Sequence, residues 1–220
     1  QNQKKAKGGD KDAKAQLEVM EPALAALQSG KPVRSVQFDP EQRVLLKTLG
    51  LLTSKPVLYA CNVEEASAAT GNAFSEKVAE MAKAQGAAHV VISAAIEAEV
   101  SQLTDEAERQ EFLETLGLQE TGLARVIRAG YDLLHLITFF TVGPKECHAW
   151  TLPKGLKAPQ AAGVIHSDFE RGFIRAETIA YADYVACGSE SAAKEAGKMR
   201  LEGKEYVVQD GDIFHFLFNV

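Results

Sequence analysis

Asn62-Val63-Glu64-Glu65 directly follows an apolar run, Val57-Leu58-Tyr59-Ala60-Cys61. An asparagine amide carries both a donor and an acceptor and can read a purine edge. Ser93-Ala94 follows a second such run, His89-Val90-Val91-Ile92. In open α/β sheets, ligands bind outside the carboxyl ends of the strands, and two neighbouring parallel strands bring both loops to one rim. Main-chain N–H groups around Ser93-Ala94 could then contact a base or order the loop. By spacing alone these residues serve equally well as turn chemistry at strand ends.

Other reactive residue types point to less. Cys61, Cys147 and Cys187 are odd in number and far apart, with no CxxC or Cys/His ligand spacing. They read as reduced thiols of a cytoplasmic protein. His148 and His166 have no paired nucleophile or metal-ligand partner in the sequence and read as structural or surface residues. No catalytic and no metal-binding residue is assigned. The net charge of −6 argues against polyanion binding by bulk charge, so contact with RNA has to come from local patches. Two exist: Lys4, Lys5, Lys7, Lys11 and Lys14, and farther on Arg171, Arg175, Lys194, Lys198, Arg200 and Lys204. Both also fit a solvated mixed-charge surface. No run approaches the roughly 18 apolar residues of a membrane span, so no membrane partner is expected. Position 1 is Gln rather than Met, which reads as a processed or truncated chain.

The elements that must position the rim follow from periodicity. From Lys11, Leu17, Met20, Leu24 and Leu27 recur at helical spacing; Pro22 kinks this helix or starts a second one, and Ser29-Gly30-Lys31-Pro32 stops it. A charged helix with a narrow apolar stripe suggests one arm of an antiparallel helical hairpin. Val33 to Phe38 reads as extended. Asp39-Pro40-Glu41 starts a helix that runs to about Leu49. Residues 57–61 and 89–92 read as strands buried on both faces, and the helix from Phe74 to Gln85 joins them into a βαβ unit. Helices are expected near 95–102, 105–115 and 122–133.

From about Leu134 the character changes. Residues 136–142 and 147–152 read as strands around the turn Gly143-Pro144-Lys145-Glu146. Residues 159–165 and 168–175 read as helical or irregular, 176–181 and 184–186 as extended, and 189–199 as a short helix. Strands are expected at 206–208 and 213–218 around Gln209-Asp210-Gly211-Asp212. The phenylalanines at 139, 140, 214, 216 and 218, with Trp150, read as core or strand-face residues. This composition suggests a separate α+β domain.

Lys-Pro-Val-Leu-Tyr-Ala-Cys-Asn-Val-Glu-Glu at 55–65 resembles the base-specificity element of P-loop GTPases in the form found in YchF-type, Obg-like ATPases. Most such GTPases carry NKxD there, with the Asp accepting from the guanine N1 and N2 donors. The YchF-type family carries NxxE and prefers ATP, and adenine offers no N2 donor. The resemblance implies that Asn62 and Val63 contact adenine, with Glu65 in the acidic position and Ser93-Ala94 as the next nucleotide loop. Phe139 to Thr151, Val164 to Glu177, Glu195 to Lys204 and Tyr206 to Asp212 resemble the family's ubiquitin-like TGS domain. The resemblance covers essentially the whole chain.

It implies an α/β plus α+β chain: a helical coiled-coil arm (1–35), the C-terminal part of a P-loop NTPase parallel sheet (36–133) and a β-grasp TGS domain (134–220). It also implies a cytoplasmic, monomeric, ribosome-associated protein, linked to translation and stress, that binds and hydrolyses ATP. The alternative is a non-catalytic module that binds RNA, the ribosome or protein. The departure is equally clear. Phosphate chemistry needs GxxxxGK[ST], which this sequence lacks. ATP is the expected ligand, Mg²⁺ is expected with ligands outside these residues, and the chain alone is expected to be inactive. An unpaired sheet edge is expected over 55–94.

Overall fold

The structure is a computed structural model and describes residues 2–143 and 146–219. Pro144 and Lys145 of the expected turn lie outside the described residues; beside them, Gly143 N–H donates to the Glu146 carbonyl at 2.9 Å. The chain forms two compact units, residues 1–133 and 134–220.

The first unit opens with α1 (Asn2–Lys7) and α2 (Lys11–Gln28). Asp10 caps α2, accepting from Asp12 and Ala13 N–H at 3.0 and 3.1 Å. Pro22 lies inside a single helix and starts no second one. The buried face of α2 is Ala13, Val19, Ala23 and Ala26. Val19 and Ala23 pack with Val33, Phe38 and Leu46. The leucine stripe read from the sequence is a different face: Leu17, Met20, Leu24 and Leu27 line an apolar groove of about 620 Å³. Val33–Ser35 is a 3₁₀ turn rather than extended chain. Here Ser35 N–H and Val36 N–H return to the Pro32 and Val33 carbonyls, so the backbone is satisfied locally. Helix α3 (Pro40–Thr48) starts at Asp39 through a capping box with Gln42.

Strands β1 (Leu58–Asn62) and β2 (Ala88–Ile92) pair in parallel, with Asn62 opposite Ile92. Helix α4 (Ala73–Gln85) crosses between them and ends at Gly86, whose φ of 63° suits glycine. The expected burial on both faces is not found. β1 alternates between half-buried and exposed residues, because among the described residues β2 is its only neighbour. Helices α5 (Ala94–Val100), α6 (Glu106–Thr115) and α7 (Gly122–Leu134) follow. Ile96, Val100, Leu113 and Leu118 form a small core with Ala68. The N-terminus of α7 is held by Glu97, which accepts from Gly122 and Leu123 N–H at 2.5 and 3.1 Å. No described helix is long and apolar enough to cross a membrane.

The second unit comprises β3 (Leu136–Val142), β4 (Cys147–Pro153), α8 (Ala158–Ile165), α9 (Ser167–Arg171), β5 (Phe173–Ala180), α10 (Tyr181–Cys187), α11 (Glu190–Glu195), β6 (Arg200–Glu202) and β7 (Asp212–Phe218). Its sheet runs β4-β3-β7-β5-β6, with β3 and β7 parallel and the other pairs antiparallel. Phe139, fully buried, centres the core. Its ring lies 5.7 Å from Phe214, 6.2 Å from Phe216 and 6.4 Å from Trp150.

Several expectations for this unit are corrected. Residues 184–186 are helical, within α10, because Gly188 in the left-handed region lets its N–H cap the Tyr184 carbonyl at 2.9 Å. Residues 206–208 form only an isolated bridge, Val207 with Lys157, because Val208 N–H turns to Leu156 in the segment before α8. Strand β5 already begins at Phe173. Gly172 packs so close to Asn219 that a Cβ would sit 2.3 Å from its carbonyl oxygen, and this fixes the turn from α9 into the strand. The helix expected to reach Met199 stops at Glu195, and β6 follows.

Trp150 is the only tryptophan and lies beside Phe139, so its fluorescence reports on this unit. Phe139→Ala is expected to destabilise it by about 3–5 kcal/mol in urea unfolding, the cost of a large cavity in a closed core. Leu201→Ala, on an exposed side chain, is expected to stay within about 0.5 kcal/mol.

Candidate functional site

The sequence-predicted residues converge at the carboxyl ends of β1 and β2. The parallel register sets the two strand ends side by side. Asn62 Oδ1 accepts from Ala94 N–H at 2.9 Å, joining the loops after the two strands. Val63 N–H donates to the Ile92 carbonyl at 2.9 Å and its side chain is buried. The Asn62 carbonyl is thereby engaged within the protein, and its exposed amide NH₂ is left as a donor. Ser93 is buried beneath the rim, and its Oγ has no hydrogen-bond partner among the described residues. Ala94 is exposed at the start of α5.

Glu65 and Glu64 are engaged differently by the loop. Glu65 opens a 3₁₀ turn, Glu65–Ser67, with an exposed side chain. Glu64, not singled out from sequence, anchors the loop. Its carboxylate accepts from Ser67 Oγ at 2.5 Å and Asn72 Nδ2 at 3.0 Å. Asn72 in turn caps α4, with Oδ1 accepting from Phe74 and Ser75 N–H at 3.0 and 3.1 Å. Gly71 must be glycine here: its φ is +79°, and a Cβ would meet Ser75 Oγ at 2.6 Å. The loop, the 3₁₀ turn and the start of α4 are thus one hydrogen-bonded unit. A serine three residues after Glu64 and a cap-type Asn were the available sequence signals, but acids in loops are too common for these to stand out.

The basic patches differ in how they are engaged. Lys4, Lys5, Lys7, Lys11 and Lys14 are all exposed around the α1–α2 turn. In the second unit Arg171 pairs with Asp168, Lys198 with Asp183 at 3.1 Å, and Arg200 with Glu202 at 3.0 Å. Arg175, Lys194 and Lys204 are exposed. His166 Nδ1 accepts from Asp168 N–H at 3.1 Å, and the His148 ring lies tilted against Trp150 with centroids 4.0 Å apart. The described residues hold no group of three or more His, Cys, Asp or Glu suited to a metal.

The Ser67 hydroxyl, the backbone at Glu64 and Asn72 hold the Glu64 carboxyl below its ordinary value of 4.5. A lowered folded-state value means that the tether contributes fully above the unfolded value and is lost as pH falls through the folded one. The Asn72 side-chain NH₂ resonance is therefore expected to shift in acid with a midpoint below 4.5. Glu64→Gln is expected to remove that transition, and an unchanged transition in the variant would place the proton elsewhere.

The profile of the YchF-GTPase_C family, described as a protein of unknown function (DUF933), matches residues 136–219. A protein named ribosome-binding ATPase YchF from Bacillus subtilis (strain 168) is 55% identical over 219 residues, covering 99% of this chain and 60% of that protein. One of the same name from Escherichia coli O157:H7 is 52% identical over 218 residues, with the same coverage. Among solved structures, the Schizosaccharomyces pombe YchF GTPase aligns with a TM-score of 0.80 at 34% identity, covering 94% of this chain and 55% of that one. A GTP-binding protein from Pyrococcus horikoshii OT3 aligns at 0.54 and 18% identity, a likeness of fold alone. The chain spans about three-fifths of the length of these curated relatives, and over that span it matches the YchF proteins at more than half identity across 99% of its residues.

Proposed function

We propose that this chain supplies the adenine-recognition rim and the ribosome-directed C-terminal domain of an ATP-binding and ATP-hydrolysing YchF protein. The observation that carries the first half is the Asn62–Ala94 hydrogen bond. It makes the loops after β1 and β2 a single rim and orients the Asn62 NH₂ as a donor. Purine N7 is an acceptor that such a donor can reach. The buried, unpartnered Ser93 Oγ adds a second polar group to the same place. In this reading Asn62, Val63, Glu65, Ser93 and Ala94 bind nucleotide, with Glu65 in the acidic position.

The fold supports the rest. A βαβ unit with one open edge fits the C-terminal part of a P-loop NTPase sheet over 36–133. The order β4-β3-β7-β5-β6 with parallel β3 and β7 supports a β-grasp, TGS reading of 134–220. The open leucine face of α2 fits half of an antiparallel coiled coil over 1–35. Ribosome binding and ATP hydrolysis are what the relatives are named for. Hydrolysis needs Mg²⁺ and a phosphate cradle, and the residues present fit neither: the sequence has no GxxxxGK[ST] and the described residues no carboxylate cluster. Those parts belong to residues outside this chain, which on its own binds without turnover. The setting is a monomer in the cytoplasm. A second reading, a non-catalytic RNA- or ribosome-binding module, rests on the exposed lysines around the α1–α2 turn.

Asn62→Ala in a full-length YchF protein carrying this segment is expected to weaken ATP binding about tenfold, the loss of one or two hydrogen bonds. Unchanged affinity would remove Asn62 from the site. Ribosome association is expected to weaken as salt rises, with a shallower slope after Lys4, Lys5 and Lys7 are changed to Gln; a slope of zero would argue against phosphate contacts. The chain alone is expected to show no Mg²⁺-dependent ATP turnover.

A further inference from the structure

The loops after β1 and β2 are both fastened to the first turn of α7. On the β2 side, Glu97 of α5 accepts from Gly122 and Leu123 N–H at 2.5 and 3.1 Å. Its own N–H donates to the Ser93 carbonyl at 3.1 Å, one residue before the Ala94 amide that bonds to Asn62. A carboxylate suits that place, because the first N–H groups of a helix lack intrahelical partners and carry partial positive charge. On the β1 side, Arg125 Nη1 donates to the Ala68 carbonyl at 3.4 Å. Ala68 is almost fully buried and closes the 3₁₀ turn that Glu65 opens, its N–H donating to the Glu65 carbonyl at 3.1 Å.

The fit at this turn is tight. A Cβ on Gly122 would sit 2.9 Å from Glu97 Oε1 and 3.1 Å from Ile92 Cγ2. Ile92 is the last residue of β2, opposite Asn62, and its carbonyl accepts from Val63 N–H. Gly122 has ordinary helical backbone, so the close approach is what calls for glycine. Arg125 is a poor choice for stability alone. Its Nε is buried and has no hydrogen-bond partner among the described residues, and a buried donor left unpaired opposes folding.

We infer that Glu97 and Arg125 are positioning residues of the rim, which clamp its two loops to α7 and hold Asn62 and Glu65 in a fixed relation. Neither is among the proposed nucleotide-binding residues. Glu97 acts through Ser93 and Ala94, and Arg125 through Ala68 and the turn at Glu65. The Asn62–Ala94 bond joins the two loops once. The clamp joins them a second time, through an independent element. A single joint leaves a pivot, whereas two joints set an orientation. The consequence for ATP rests on the proposed adenine reading, while the clamp itself rests on these contacts alone.

The test pairs amide exchange in the ¹⁵N-labelled chain with ATP binding by a full-length YchF protein carrying this segment. Gly122→Ala sets a methyl group against Glu97 and Ile92 while improving helix propensity. It is expected to speed exchange of the Ala94 amide about tenfold without lowering the urea midpoint. Glu97→Ala, which removes both acceptors, is expected to speed Ala94 exchange by about as much. Arg125→Met keeps an apolar stem and removes the donor. It is expected to speed exchange of the Ala68 amide about tenfold and to weaken ATP binding about threefold, and Arg125→Lys is expected to restore both. Should Gly122→Ala lower the urea midpoint, the comparison of Arg125→Met with Arg125→Lys decides. Unchanged Ala94 exchange in both Gly122→Ala and Glu97→Ala would overturn the clamp, as would Arg125→Met and Arg125→Lys behaving alike. So would unchanged ATP affinity in Arg125→Met where Asn62→Ala weakens it. If Asn62→Ala leaves ATP affinity unchanged, the nucleotide reading fails, and faster exchange at Ala94 and Ala68 still upholds the clamp.

Discussion

The rim of the first unit depends on the hydrogen bond from Ala94 N–H to Asn62 Oδ1. The parallel register brings the ends of β1 and β2 together, but a register alone leaves two independent loops. The side-chain bond couples them, and the Val63 N–H bond to Ile92 closes the ladder just below. Glu64 then fixes the far side of the loop to the start of α4. The rim is therefore defined by polar contacts on a thin scaffold. β1 has no fully buried residue, so packing does little to hold its end in place.

The second unit reverses that balance. Its aromatic core around Phe139 is closed, and its acids are structural. Asp210 accepts from Thr138 N–H at 2.8 Å, fixing the turn before β7 to β3. Asp212, almost fully buried, accepts from Gln209 N–H at 2.9 Å and from Tyr206 O–H at 2.8 Å. Burial raises the Asp212 carboxyl above its ordinary range, with the Gln209 N–H partly opposing it. A raised carboxyl contributes most below its unfolded value and loses that contribution as pH rises through the folded one. At neutral pH the charge is thus a cost, offset by the hydrogen bonds that shape the loop. Burial, then the Asp212 contact, pushes Tyr206 up to about 12, so its hydroxyl remains a donor across the physiological range.

The legible parts of the chain were those where one local signal suffices. Asp39-Pro40 announced α3, and two apolar runs with a helix between them announced β1, α4 and β2. Phe139 and Trp150 announced the core. The misread parts were set by tertiary context. Tyr181, Tyr184 and Val185 have strand-type chemistry yet form α10, because Gly188 offers a helix stop. Val207 and Val208 look like strand but bond across to the chain before α8. The β1 run looked doubly buried because apolar continuity records what a strand is suited to meet, and only the fold shows what lies against it. At the rim, Asn62 and Ser93 could be located from strand ends. Glu64 could not, because its value lies in Asn72, eight residues away and brought near only by the 3₁₀ turn.

Under the proposed function, the same rim geometry limits what Asn62 would discriminate. Its carbonyl oxygen already accepts from Ala94 N–H, so the group it would offer a base is its NH₂ donor. Adenine and guanine both present N7 as an acceptor; they differ at position 6, where adenine donates and guanine accepts. A donor aimed at N7 therefore selects purines without choosing between them. The choice has to come from groups whose hydrogen-bonding capacity remains open. Val63 N–H is committed to Ile92 and the Glu64 carboxylate to Ser67 and Asn72. Within Asn62-Val63-Glu64-Glu65, this leaves Glu65 as the side chain free to meet a base. Under the proposed reading, purine binding and the preference between ATP and GTP are separable properties of neighbouring residues. One is built into the ladder by Asn62, and the other rests on the reach of an exposed carboxylate.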